Sequence, residues 1–508
     1  MSLTARGFAA ITLVAAFTGT LAPPASAGQA AAPQVEVFLP DVLIAAGSVG
    51  TEVNALAGAS EFVELENLVL KVDFSDLDGV AKVGVDPVFC DVAGSVASCD
   101  LGDVILDPVA ALEPVFEVVP AVGAAAGASG KWKATISADG LDPTSMESTV
   151  TVAEGVDLGV PQDTVEVTGT AGNTLPLSFE VNNVGEKAAD GAVVLVFGDY
   201  PVSGAKQYSN CTFLNGALTS CTFDEQLEVG AGYTTNEVPL KLRSDTFAPS
   251  TTSGELVWLT KAEFELFKKI FEPDFLGSPG TGEKLSLVEN ASLNKRSAPP
   301  QTDIDGTNNG VTLDITVEGE NGVDLAAVGG SASGAVTQVV TLNLGLHNVG
   351  PATIDFIRSD EPAGFFDLAL PPGSSLAEMP ARCIAMKQIG DVPDRDPDEG
   401  NLLARFIRCS NESRLFVVGT DWTIPVKLRI DQVITGATGT VTVVTKECAC
   451  RPDTNPANNA ANVVLNAALP TTGVQTGLLA GTGVLLALSG VAAFLLGRRR
   501  RFRVTDPG

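Results

Sequence analysis

A single histidine, His347, stands in the 508 residues, so an ordinary histidine-based catalytic triad is excluded unless that one ring serves it. Its place in the polar phase of an alternating strand, equivalent to Asn182, argues against that role. Positive charge is also scarce: 31 Lys and Arg stand against 61 Asp and Glu, a formal net charge of −30. Nucleic acid and anionic lipid are held by clustered Lys and Arg, so neither suits this surface. What remains is a solvated acidic coat, with divalent cations as the alternative. A phosphate-cradling loop is missing as well. Gly277 and Gly282 have Walker-like spacing, but Glu283 stands where the lysine must reach phosphate. CxxC knuckles are absent, which argues against structural zinc. Among so many acids no carboxylate pair stands out as a glycosidase couple.

Val, Ala, Gly and Thr dominate what is present, and few long helical patterns occur, which favours an all-β extracellular protein. The two ends carry processing signals. Arg6, the apolar run Phe8 to Leu21 and Ala25-Ser26-Ala27 make the three regions of a secretory signal peptide, residues 1–27, with cleavage between Ala27 and Gly28. At the other end no charge occurs from Leu478 to Leu496. At about 1.5 Å per residue this stretch makes a helix of roughly 28 Å, enough to cross a bilayer. The transmembrane helix is placed at 474–497. The arginines from Arg498 to Arg503 would keep the tail in the cytoplasm and leave Leu469-Pro470-Thr471-Thr472-Gly473 on the outer face.

That order of motif, span and basic tail, residues 469–508, resembles the LPxTG sorting signal of Gram-positive cell-wall proteins. The resemblance implies that a sortase transpeptidase attacks the Thr472 carbonyl, that Gly473 leaves with the tail, and that a peptidoglycan amine takes Thr472. The membrane is then a partner only before sorting. Asn466, Ala467 and Ala468 alone separate the last repeat strand from Leu469, so no Pro- or Ser-rich stalk is present.

Between the ends the chain repeats itself. Leu175, Leu177, Phe179 and Val181 alternate into Asn183-Val184-Gly185, and Leu342, Leu344 and Leu346 alternate into Asn348-Val349-Gly350. Such alternation marks a half-buried strand. Leu68, Leu70, Val72 and Phe74, running into Asp76-Leu77-Asp78-Gly79, form a fainter copy. Gly254 with Thr260-Lys261 answers Gly439 with Thr445-Lys446, and Asp303 with Asn308-Asn309 answers Asp453 with Asn458-Asn459. Three units follow: 28–155, the most divergent, 156–315 and 316–468. Each keeps its own cysteine pair despite insertions. Cys90 with Cys99, Cys211 with Cys221 and Cys383 with Cys409 are therefore expected as intradomain disulfides, in keeping with an exported chain. Cys448 and Cys450 are left over. They could form a strained bridge, pair between chains or stay reduced.

The V-N-N-V-G turn, the cysteines flanking Asn215-Gly216 and the closing Asp453 to Asn459 resemble the repeat called domain of unknown function eleven and the related bacterial cell-adhesion domain. The likeness covers most of 160–468 and only weakly 35–155. It implies tandem immunoglobulin-like β-sandwiches and no chemistry.

Two insertions interrupt the repeats. Near 260–300, Thr260 and Glu263 have capping-box spacing, and Phe264, Phe267, Ile270 and Phe271 recur at helical spacing. A short amphipathic helix is expected there, packed on its own sandwich. Near 388–400, Asp391, Asp394, Asp396, Asp398 and Glu399 crowd a loop of oxygen ligands suited to calcium. The EF-hand order fails, however, because Pro397 replaces a ligand. Asp303 to Gly306 and Asp76 to Gly79 fail likewise. The expected function is a non-enzymatic, cofactor-free, wall-anchored structural, display or adhesion module with an unidentified surface ligand. The alternatives are a wall-attached, carboxylate-dependent glycoside hydrolase and a calcium-dependent adhesin. A pilus subunit would need a sortase-reactive lysine motif, and none is found.

Overall fold

The structure is a computed structural model that describes residues 35–59, 62–85, 87–106, 109–270, 275–289, 300–357, 361–387, 402–444 and 453–466. The signal-peptide residues Ala25, Ala27 and Gly28, the loop Asp391 to Glu399, Cys448, Cys450, Phe271 and the sorting motif Leu469 to Gly473 lie outside the described residues. The chain divides between Gly322 and Val323 into two compact units. The first unit contains two β-sandwiches and the second contains one.

Two sheets build the first sandwich. One runs in the order Val35–Phe38, Thr51–Ala59, Val109–Pro120, Ala81–Val85. The other runs Val42–Ala45, Thr144–Val156, Ser129–Ser137, Val63–Asp73, Val96–Leu106, Cys90–Ala93. Neighbours in the two sheets are antiparallel except Val42–Ala45, which lies parallel to Thr144–Val156. Alternation explains the layering: along Ser129–Ser137 the residues Trp132, Ala134 and Ile136 are buried while those between point outward. Trp132 meets Phe116 of the opposite sheet edge-on at 6.3 Å.

Strand order recurs in the second sandwich. Its larger sheet runs Thr164–Thr170, Gly310–Asn321, Ala248–Leu259, Ala192–Gly198, Ala217–Phe223, Cys211–Leu214, with the edge strand Thr164–Thr170 again parallel to its neighbour. The facing layer is bent into two short sheets, because its strands break at Ser178-Phe179 and between Thr235 and Val238. In the second unit, Leu325–Val328, Val339–Asn348, Asp421–Ile430 and Ser374–Leu376 face Gly330–Ala332, Ala460–Leu465, Ala437–Val443, Gly364–Ala369, Phe406–Asn411 and Cys383–Met386. Two packed sheets, antiparallel pairing and a first strand that switches sheets to run parallel to the last are the immunoglobulin-like arrangement. The protein is thus an all-β chain of tandem immunoglobulin-like sandwiches.

The run Leu68 to Phe74 is not the counterpart of Leu175 to Val181 and Leu342 to Leu346. It lies on Val63–Asp73, in the larger sheet, where the other sandwiches have Ala192–Gly198 and Gly364–Ala369. The true counterpart is Thr51–Ala59, whose buried positions are Val53, Ala55, Ala57 and Ala59. Alternation tells that one face of a strand is buried, not which strand of the sandwich it is. Small alanines also weaken the pattern where it should have been found.

The insertion of the second sandwich has its own path. Helix α1, Lys261–Ile270, lays Phe264 and Phe267 on Val193, Leu195, Val257 and Leu259 of the outer sheet face, so it packs on its own sandwich as expected. The chain then pairs Ser278–Pro279 with the edge strand Cys211–Leu214, and Leu287–Glu289 with Gly232–Thr235 of the other layer. Both sheet edges on that side are thereby covered, which blunts unwanted edge pairing.

Candidate functional site

Residues that carry the repeat likeness hold the chain's own backbone. Asn183 is fully buried and donates through Nδ2 to the carbonyls of Lys187 and Leu227, both at 2.8 Å, while its Oδ1 accepts from Gly185 N. Asn348 repeats this with the carbonyls of Ala352 and Phe416 and with Gly350 N. Asp303 accepts from Leu158 N at 2.9 Å and from Asp305 N, and Asp453 accepts from Leu325 N at 3.1 Å and from Asn455 N. Each closing aspartate therefore ties the last segment of its sandwich to the first. These side chains satisfy backbone groups that would otherwise be stranded where the strands end.

At the joint of the first two sandwiches more is added. The strand Thr144–Val156 passes without a linker from one core to the next, with Val152 in the first core and Val156 in the second. Val42–Ala45 pairs with its residues 150–153, and Gln301–Asp303, the returning end of the insertion, pairs parallel with residues 154–156. A strand belonging to the second sandwich thus continues the sheet edge of the first. Gln301 is wired to both sides. Its Nε2 donates to Glu154 Oε2 and the Ala188 carbonyl, and its Oε1 accepts from Asp190 N at 2.7 Å.

Glu263 closes this cluster. In the capping box its Oε2 accepts from Thr260 N at 2.8 Å, and its own N donates to Thr260 Oγ1. Its Oε1 accepts from Thr302 Oγ1 at 2.6 Å and from Asp303 N at 2.7 Å. The Thr260 hydroxyl donates to the Gln301 carbonyl at 2.8 Å. Burial, and next the negative charge of Glu263, push the Asp303 carboxyl up to about 7 against the two backbone N–H groups that favour its anion. Glu154 is held below the usual carboxylate range by its bonds to Gln301 and Lys187. Lys269, in the last turn of α1, reaches Asp41 of the first sandwich at 2.8 Å. The capping-box spacing located Glu263, but not its second set of partners. Only the equivalence of Asp303 and Asp453, beside the extra chain before Asp303, hinted that the insertion returns to the joint.

Cysteine pairing follows the repeats. Cys90–Cys99, Cys211–Cys221 and Cys383–Cys409 are bonded, each joining register-opposed residues of one hairpin with Cα atoms 4.1, 4.0 and 4.1 Å apart. In the second, Asn215 and Gly216 both have positive φ, 51° and 86°, as a two-residue type I′ turn requires. Such bonds form in an oxidising, extracytoplasmic environment. Replacing Cys211 and Cys221 together by serine should lower the stability of the first unit by about 2 to 3 kcal/mol in the chain-entropy account, measured by denaturant unfolding. An unchanged midpoint would mean that the hairpin is already fixed by its turn.

His347 pairs in register with Asp421, and its Nδ1 lies 2.8 Å from Asp421 Oδ1 on the exposed face. A groove of about 250 Å³ opens in the second sandwich between Val165, Val167, Leu177, Phe179, Leu256 and Leu313, and among the described residues Glu180 is the one carboxylate lining it. One carboxylate cannot supply the acid and base of a glycoside hydrolase. Asp303 and Asp305 spend oxygens on backbone N–H groups of their own turn.

No protein-family model matches the chain, and no curated protein does. Among solved structures, the Dpr2 Ig1-Ig2 complex with DIP-Theta Ig1-Ig3 is similar at 7% identity, covering 86% of this chain and 99% of the other, with a TM-score of 0.20. A Corynebacterium diphtheriae protein described as membrane anchored is similar at 11% identity, covering 86% and 93%, with a TM-score of 0.16. The titin I-band fragment I67-I69 is similar at 7% identity, covering 87% and 100%, with a TM-score of 0.16.

Proposed function

We propose that the protein is a surface module, exported, attached to peptidoglycan through Thr472 by a sortase, and serving structure, display or adhesion rather than catalysis. The observation that carries this is how the motif residues are used. Asn183, Asn348, Asp303 and Asp453, the most distinctive polar residues of the repeats, are committed to backbone groups of their own sandwiches. They are parts of a scaffold rather than of a site. Filled cores and disulfide-stapled hairpins suit a chain that must persist outside the cell. The first sandwich exposes apolar side chains at its cysteine hairpin: Val92, in the edge strand Cys90–Ala93, and Phe89, just before it, are 52% and 45% exposed. It is the part best suited to meet a partner. Leu469 to Gly473 supports attachment through its order relative to the span and basic tail.

Mass spectrometry of protein released from walls by muramidase tests the proposal. Chains ending at Thr472 and carrying a peptidoglycan fragment are the expected result. Recovery only in detergent, with Arg498 to Arg503 still present, would sink wall attachment. A pull-down of the exported chain against wall polymers and cell surfaces would then search for the ligand.

A further inference from the structure

We propose that helix α1, anchored through Glu263 on the strand Gln301–Asp303, is a latch that locks the first two sandwiches into one rigid body. Tandem domains joined through a small interface move relative to one another by default, so a fixed joint needs a cause. Three features supply it here. The strand Thr144–Val156 enters the second core directly, with its last residues paired to Gln301–Asp303. That pairing is bracketed by Glu154 N donating to the Pro300 carbonyl and Ile304 N donating to the Val156 carbonyl, both at 2.9 Å. Glu263 then grips the far side of the same strand, so that α1, the returning strand and the first sandwich form a stack.

The third sandwich carries the inner ties of this arrangement. Val323 and Asp453 form an isolated bridge, Leu325 N and Asn455 N bond to Asp453, and Asn458 bonds to Asp324. These are the contacts that Asp303 and Asn308 also make with Leu158, Asp305 and Asp157. They tie a sandwich to its own beginning. The hydrogen bonds of Gln301 and Glu263 and the Lys269–Asp41 pair are added to these ties, and Glu263 and Lys269 come from the insertion. The insertion thus spends its helix and its returning strand on holding two domains together. The first sandwich would be presented at a fixed angle and distance from the second, and a partner could read the two as one surface.

Close packing at Gly155 offers an independent way to open the joint. A Cβ there would lie 2.7 Å from Ile304 Cγ2 and 3.1 Å from Ala45 Cβ, so a side chain would wedge the strand apart. The test uses the full exported chain, with nitroxide labels on ketone-bearing amino acids at the exposed positions Val92 and Val229, and reads their separation by pulsed electron paramagnetic resonance. Wild type should give a single narrow distribution. Glu263→Ala and Gly155→Val should each widen it about twofold or more, as unrestrained domains would, while the fluorescence of buried Trp132 and Trp258 stays native. Two variants are used so that if one fails to fold the other decides. A broad distribution in wild type, or distributions as narrow as wild type in correctly folded variants, would overturn the latch. Either result is independent of how the chain is anchored.

Discussion

The first compact unit is expected to lose stability as pH rises from about 5 to 7, with a slope of up to about 1.4 kcal/mol per pH unit. The cause is Asp303, whose folded-state carboxyl is pushed from 3.8 up to about 7. Between those values the folded chain keeps a proton that the unfolded chain has released, so raising pH favours unfolding. The full loss is on the order of 4 kcal/mol and is complete just above neutrality. Asp73, Glu154, Asp224 and Glu283 act in the other direction, because their folded-state values are lowered. Their contribution is present above their unfolded values and is lost only in stronger acid, so they do not slope between 5 and 7. Lys131, Lys206 and Tyr208 are raised from values already far above the window. Facing Asp303 are Glu263 from α1, Asp157 from the start of the second sandwich and Asp305 from its own turn. Scanning calorimetry between pH 5 and 8 should show the slope in wild type and a flatter profile in Asp303→Asn, whatever that variant's absolute stability. Equal slopes would assign the proton elsewhere.

Removing one partner of the buried pair Asp367–Arg408 should destabilise the second unit by about 3 to 5 kcal/mol. The two residues face each other in register, with Nε to Oδ1 at 2.6 Å and Nη2 to Oδ2 at 2.9 Å, and are 2% and 4% exposed. Asp367 alternates with the core residues Phe366 and Leu368 and so sits on the opposite face of Gly364–Ala369. Arg408→Met leaves a carboxylate in an enclosed place with its strongest donor gone. The double variant Asp367→Leu with Arg408→Met should recover most of the loss, since a buried pair returns little more than its own desolvation cost. Urea unfolding of the wild type, Asp367→Leu, Arg408→Met and the double variant measures the coupling. A single variant costing under about 1 kcal/mol would mean that the pair behaves as if exposed to solvent.

Sequence by itself determined the all-β class, the three cysteine pairs and the helix at Lys261–Ile270, while the tandem sandwiches were what the repeat resemblance implied. The first three rest on local or pairwise patterns: period-two burial, one cysteine pair kept in each repeat, and a capping box followed by apolar residues at helical spacing. It also located Asn183, Asn348, Asp303 and Asp453, since a polar residue that caps strand ends must recur wherever the fold recurs. Which strand Leu68 to Phe74 becomes was decided only in three dimensions, because alternation is the same for any half-buried strand and the true counterpart is disguised by Ala55, Ala57 and Ala59. The joint was decided there as well. Glu263, Gln301 and Glu154 are far apart along the chain, and no local pattern distinguishes an N-terminal glutamate that merely caps its helix from one whose second oxygen also holds a strand against a neighbouring domain. That difference is a matter of which segment returns to lie beside it.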